Sequence, residues 1–150
     1  MFSQHIKYPK IKRFGDEDTD GILLGKVYVQ EKVDGANTSI WRDEDGKIRC
    51  GTRTRIVDEG FNGFPDYVKA HEGIQKYLAD HPEHRIYGEW LVRHTIAYNE
   101  TAYKQFYLFD ILDVSDTFET EPDDEDVDRQ IVRQSKWLTI EEVNQVAKDY

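Results

Sequence analysis

Cysteine is nearly missing from this chain. Cys50 is the only one, which excludes an internal disulfide and any cysteine-built zinc site. Beside Gly51 in an expected strand, it reads as a small packed residue rather than a nucleophile. No apolar run approaches the ~18–20 residues that a bilayer span requires. The first residues, Met1-Phe2-Ser3-Gln4-His5, hold no hydrophobic signal core. These absences lead us to expect a reduced, cytoplasmic compartment and no membrane partner. A basic excess is lacking too: 20 Lys and Arg stand against 30 Asp and Glu, a formal net charge of −10. That argues against a generic nucleic-acid binder, which carries a basic footprint. The charge is uneven, however. His5, Lys7, Lys10, Lys12 and Arg13 make the start basic, whereas residues 113–128 hold a dense acidic run read as a solvated loop. A nucleic-acid site is therefore expected only where basic groups line one groove and the acids sit elsewhere.

Other chemistries are also missing. There is no internal repeat. Gly21-Ile22-Leu23-Leu24-Gly25-Lys26-Val27 is one residue short of a P-loop and lacks the hydroxyl residue that would reach Mg²⁺. His71, His81, His84 and His94 are scattered without metal-ligand spacing and read as core or surface histidines.

What is present suffices for one domain. The chain has 150 residues, 38% of them hydrophobic and 13% aromatic, enough for a core. Leu23 to Lys32 reads as a strand, with Val27, Val29 and Glu31 on one face and Tyr28, Gln30 and Lys32 on the other. Residues 38–42 and 47–53 read as a hairpin about the Asp45-Gly46 turn, with Arg53 and Arg55 on one strand face. Residues 66–79 read as one helix, because Tyr67, His71, Ile74 and Leu78 recur at helical spacing before Pro82. Residues 85–91 and 105–112 read as strands. Thr139 with Glu142 forms a capping box for a last helix. Helices among several antiparallel strands give an α+β class.

The most informative tract is Glu31-Lys32-Val33-Asp34-Gly35-Ala36-Asn37. It sets a lysine between a carboxylate and a tight Asp-Gly turn. A lysine so restrained is suited to attack a phosphoryl group and form a covalent intermediate. Three segments follow in order: Gly51-Thr52-Arg53-Thr54-Arg55, Tyr87-Gly88-Glu89-Trp90-Leu91, and Phe106-Tyr107-Leu108-Phe109-Asp110-Ile111. Together the four resemble the covalent nucleotidyltransferases, a group that includes polynucleotide ligases and mRNA capping enzymes. Within it the chain is most similar to ATP-dependent RNA ligases of the phage and RNA-editing type. Lys32 to Asn37 match the nucleophile motif, Thr52-Arg53-Thr54 an Arg-containing motif, Gly88-Glu89 a Gly-Glu motif, and Phe109-Asp110 an aromatic-Phe-Asp motif.

The resemblance implies antiparallel sheets flanked by helices around a nucleotide cleft. It implies ATP and Mg²⁺ as cofactors and RNA 5′-phosphate and 3′-hydroxyl ends as partners. Lys32 would take AMP from ATP, pass it to the 5′-phosphate, and release it when the 3′-hydroxyl seals the break. The remaining nucleotide-binding set would be Glu31, Asp34, Gly35, Asn37, Arg53, Glu89 and Phe109. Arg53 would neutralise phosphate oxygens through forked hydrogen bonds, and Arg55 would be a further phosphate or RNA contact. Glu89 would accept the ribose hydroxyls, and Phe109 would stack on adenine. Asn37 would hold a phosphate through its amide. Asp34, where the family often has His, would orient Lys32 or a Mg²⁺-bound water.

Two family motifs find no match after Ile111: a Glu-Gly-x-Val strand and a late Lys-x-Lys pair that grips the triphosphate. Residues 1–150 thus read as the N-terminal portion of an adenylylation domain, with the acidic loop inside it. Two alternatives share the four motifs. One is a DNA ligase or GTP-using capping-type enzyme, against which the Ala36-Asn37 extension and the Tyr-Gly-Glu-Trp form weigh. The other is a non-catalytic nucleotide- or RNA-binding scaffold.

Overall fold

The computed structural model describes residues 5–116 and 135–150. From residue 117 on, the acidic run lies outside the described residues. The fold is α+β. Its strands are β1 (Ala36–Arg42), β2 (Ile48–Thr52), β3 (His84–Trp90), β4 (Phe106–Asp113) and β5 (Lys136–Trp137). They form one sheet in the order β2-β1-β3-β4-β5, each neighbouring pair antiparallel. The helices are α1 (Phe64–Ala70), α2 (Glu72–Asp80) and α3 (Ile140–Asp149). Among the described residues, no helix is long and apolar enough to cross a membrane.

Period-2 alternation sorts the strand side chains onto two covered faces. One face presents Ile40, Cys50, Ile86, Trp90 and Ile111 to the helices, where Phe64, Val68, Ile74, Tyr77, Leu78 and Val143 complete the main core. The opposite face carries Tyr87 and Leu112, and the N-terminal segment lies over it. Ile6 is buried there. Tyr87 donates to the Ile6 carbonyl at 2.9 Å, and His5 Nε2 lies 2.8 Å from the Thr52 carbonyl oxygen.

The β1–β2 hairpin forms as expected. Gly46 takes φ +76°, and the Lys47 amide donates to Asp43 Oδ1 at 2.8 Å. β3 and β4 match the expected strands within a residue or so. The capping box also forms, with Glu142 N–H donating to Thr139 Oγ1 and Thr139 N–H to Glu142 Oε2.

Two expected elements differ. Leu23 to Lys32 is not a strand. Ile22–Leu24 is a short 3₁₀ turn, and residues 26–34 join no helix or strand. Alternation supplies strand propensity, but a strand also needs a ladder partner, and among the described residues this segment pairs with none. Its apolar side chains stay in solvent, Leu24 at 91% and Val29 at 95% exposure. The helix expected over residues 66–79 starts at Phe64 and is broken at His71. That residue is extended (φ −85°, ψ 101°), and its ring accepts the Ile74 N–H at 3.2 Å, capping α2. A side chain that satisfies an N-terminal amide ends one helix by starting the next.

Candidate functional site

The ends of β1, β2 and β3 that lie together frame a cavity of about 630 Å³. Its wall holds Lys32, Asp34, Gly35 and Asn37 from the tract entering β1, and Thr52 to Arg55 where β2 ends. Glu89 from β3, Phe61 and His94 complete it. Antiparallel register makes part of this arrangement obligatory. Asn37 lies directly opposite Glu89 across the β1–β3 ladder, so the two side chains share a face. A second cavity, about 250 Å³ and lined by Tyr67, Phe106, Leu108 and Tyr150 among others, has no Lys, Arg, Asp or Glu on its wall.

Two glycines are required by close approach. A Cβ on Gly35 would sit 2.5 Å from the Trp90 carbonyl oxygen, and one on Gly88 would sit 2.3 Å from the Phe106 ring. The first lets the tract after Lys32 press against the end of β3. The resulting contact is direct: Gly35 N–H donates to Glu89 Oε1 at 3.1 Å. The second lies where the β3–β4 register shifts, between Tyr87 and Gly88.

The cavity concentrates positive charge in an acidic protein. Lys32, Arg53 and Arg55 are all exposed. Among the described residues none of them makes an ion pair within 4 Å. Arg53 and Arg55 do not sit on a strand, as the hairpin reading expected. β2 ends at Thr52, and the chain turns there, with Thr52 N–H donating to the Arg55 carbonyl at 2.8 Å. The turn still brings both guanidinium-bearing residues to the cavity wall. Lys32 precedes β1 from an irregular segment, so it is held by the turn behind it and by no strand before it.

Asp34 is engaged away from Lys32. Its Oδ1 meets His94 Nδ1 at 2.9 Å, its Oδ2 accepts Ile96 N–H at 2.8 Å, and its own N–H donates to the Tyr98 hydroxyl at 3.0 Å. The Ile96 amide, opposed by partial burial and aided by the His94 ring, holds the Asp34 carboxyl below its usual range. Glu89 behaves oppositely. Burial pushes its carboxyl up, against the Gly35 amide and the charges of Lys32 and Arg53. Glu31 is exposed and does not line the cavity. Phe109 does not line it either. Tyr8 packs edge-on against Phe109 at 5.0 Å and donates its hydroxyl to Asp110 Oδ2 at 2.5 Å.

The family model described as RNA ligase matches residues 25–150, most of the chain. The chain belongs to the RNA ligase family. Among curated proteins no sequence relative matches it. Among solved structures it is similar to an archaeal ATP-dependent RNA ligase, with a TM-score of 0.62 and 18% identity. That match covers 96% of this chain and 34% of the other. The chain thus spans about a third of the length of the solved relative.

Sequence reasoning for this RNA ligase family member missed His94, Phe61 and Tyr98 at the site. The histidine carries no motif of its own. It reaches Asp34 only through the loop after β3, which Leu91 N–H to Gln105 O (3.1 Å) and Lys104 N–H to Leu91 O (2.9 Å) close at its base.

The raised Glu89 carboxyl gives a prediction. A carboxyl pushed up on folding makes the native state bind more protons than the unfolded chain, so stability falls as pH rises through the window above ~4.3. Glu89→Gln removes that loss and still accepts the Gly35 N–H. Urea unfolding at pH 7 is expected to show Glu89→Gln at least as stable as the wild type. A clear loss of stability at pH 7 would instead make Glu89 a structural carboxylate.

Proposed function

We propose that this chain is the N-terminal portion of the adenylylation domain of an ATP-dependent RNA ligase, and that Lys32 is its nucleophile. One observation carries the reading: Lys32, Asn37, Arg53 and Glu89, from three of the four motifs, line a single cavity whose Lys and Arg side chains make no ion pair within 4 Å among the described residues. In the first step the neutral Lys32 amine attacks the α-phosphorus of ATP. A P–N bond forms, the bond to pyrophosphate breaks, and the lysine proton leaves to solvent. AMP then passes to the 5′-phosphate of an RNA end, and attack by a 3′-hydroxyl expels it. Arg53 and Arg55 offset charge on the phosphates, where preorganised positive groups lower the barrier. Asn37 donates its amide to a phosphate oxygen, and Glu89 accepts ribose hydroxyls.

Phe109 packs with Tyr8 off the cavity wall, so this reading assigns it no base contact. Asp34 anchors the loop after β3 rather than Lys32. Among the described residues no group of three metal-ligating side chains is present, and both Asp34 oxygens are taken. Mg²⁺ therefore fits here as an ion that comes with the triphosphate, since it is commonly held by one or two carboxylates plus substrate phosphates.

The test is incubation with α-labelled ATP or GTP and Mg²⁺, followed by denaturing electrophoresis, with nucleotide binding measured in parallel. Covalent label from ATP, and ATP binding in the range where label appears, supports the reading. Label from GTP alone would move the protein to capping-type chemistry. Failure to bind either nucleotide would leave a module without a nucleotide site.

A further inference from the structure

The geometry points to His94 as a phosphate-contacting residue of this cavity, oriented for that role by Asp34. The inference rests on the nucleotidyltransferase reading above and adds to it a residue outside the four motifs. Asp34 and His94 are 60 positions apart, and the bond between their side chains is 2.9 Å. The loop that carries His94 does not need this bond to stay in place. Ile96 N–H on Asp34 Oδ2, Asp34 N–H on the Tyr98 hydroxyl, and Tyr98 N–H on the Tyr103 hydroxyl already pin it. The histidine bond instead fixes the ring. A carboxylate accepts, so Nδ1 carries the hydrogen. Thr95 Oγ1, 3.2 Å from the same nitrogen, is its other neighbour. Nε2 has no hydrogen-bond partner among the described residues, and the imidazole is 59% exposed on the cavity wall.

An imidazole anchored through one nitrogen presents the other in a defined direction. Here that nitrogen shares a wall with Lys32, Arg53 and Arg55, and the nearest carboxylate, Asp34, has both oxygens occupied. An anion is the ligand this surface suits. With a phosphate in the cavity, the Nδ1 side of the ring runs to Asp34 and an N–H at Nε2 runs to a phosphate oxygen. Such charge-assisted hydrogen bonds are among the stronger ones. The phosphate could belong to the ATP tail or to the 5′ end of RNA, and the chemistry at His94 is the same for both.

Two substitutions separate contact from scaffolding. His94→Asn keeps an N–H near the Nδ1 position for Asp34 and deletes Nε2. His94→Gln keeps a donor near the Nε2 position. Binding to the 150-residue protein is measured by titration calorimetry with ATP against adenosine, and with 5′-phosphorylated against 5′-hydroxyl RNA oligonucleotide. The expected result is that His94→Asn weakens at least one phosphorylated ligand about tenfold. Its unphosphorylated counterpart stays unchanged, and His94→Gln recovers most of the loss. The pair that responds identifies the source of the phosphate. Wild-type affinity of His94→Asn for both phosphorylated ligands overturns the assignment while leaving the ligase reading intact. So does an equal loss for phosphorylated and unphosphorylated members, which marks a disturbed loop. A wild-type protein that binds neither ATP nor RNA defeats the ligase reading itself, and this assignment with it.

Discussion

Lys32→Ala is expected to abolish covalent transfer of AMP to the protein, and Lys32→Arg to do the same. Lys32 is the only amine on the cavity wall among the described residues; the other cations there are guanidinium groups, which stay protonated and cannot attack phosphorus. No neighbouring amine or guanidinium can substitute as nucleophile, and the one other basic nitrogen on the wall, the His94 ring, is anchored to Asp34, so the expected effect is a loss of the pathway rather than a graded slowing. The fold should not suffer. Lys32 is exposed and lies outside every helix and strand, and surface substitutions of that kind usually stay within about 0.5 kcal/mol. The measurement is label from α-labelled ATP retained through denaturing electrophoresis, alongside circular dichroism and ATP affinity. Label at the wild-type level in Lys32→Ala would place the nucleophile elsewhere. A loss of label accompanied by a loss of the folded spectrum would mean that Lys32 supports the structure.

The parts of the fold that the sequence shows well are those in which one local rule decides. The Asp45-Gly46 turn, the capping box at Thr139 and Glu142, and the two apolar strands over β3 and β4 all appear where local pattern puts them. The misread parts depend on a partner that local pattern does not name. Val27 and Val29 alternate as a strand would, yet no ladder receives them among the described residues. His71 has helical spacing but spends its ring on the Ile74 amide. The motif residues Lys32, Asn37, Arg53 and Glu89 were legible because each sits in a recognisable short tract, and register then brings Asn37 opposite Glu89. Glu31 and Phe109 sit in equally recognisable tracts, but neither lines the wall, and Phe109 packs against the Tyr8 ring instead. His94 was hidden for the reverse reason. Its position follows from the carboxylate at Asp34 and the closure of the loop after β3, and both are tertiary facts. The available hint was Asp34 itself, a carboxylate beside the expected nucleophile that needed a partner.

Arg53 and Arg55 should separate sharply despite being neighbours on one turn. Thr52 shapes that turn, its hydroxyl receiving the Thr54 and Arg55 amides at 3.4 and 3.3 Å. Replacing either arginine should leave the turn intact. Both side chains reach the cavity wall, and Arg53 is, with Lys32, one of the charges that favour the ionised Glu89 carboxyl. On the proposed reading Arg53 stands among the groups that face the phosphates, where charge builds during transfer. Removing one such donor from a preorganised site typically costs ~10²–10³ in rate, and Arg53→Ala is expected to fall in that range for label transfer. Arg53→Lys should restore charge without the fork and recover only part of the loss. Arg55→Ala, at an exposed position screened by salt, is expected to change the rate by no more than about fivefold, since an exposed ion pair is worth ~1 kcal/mol or less. Single-turnover label transfer for the three variants, at low and at moderate salt, decides between these outcomes. A larger loss for Arg55→Ala than for Arg53→Ala would exchange their roles and place the α-phosphate on the far side of the turn from Glu89.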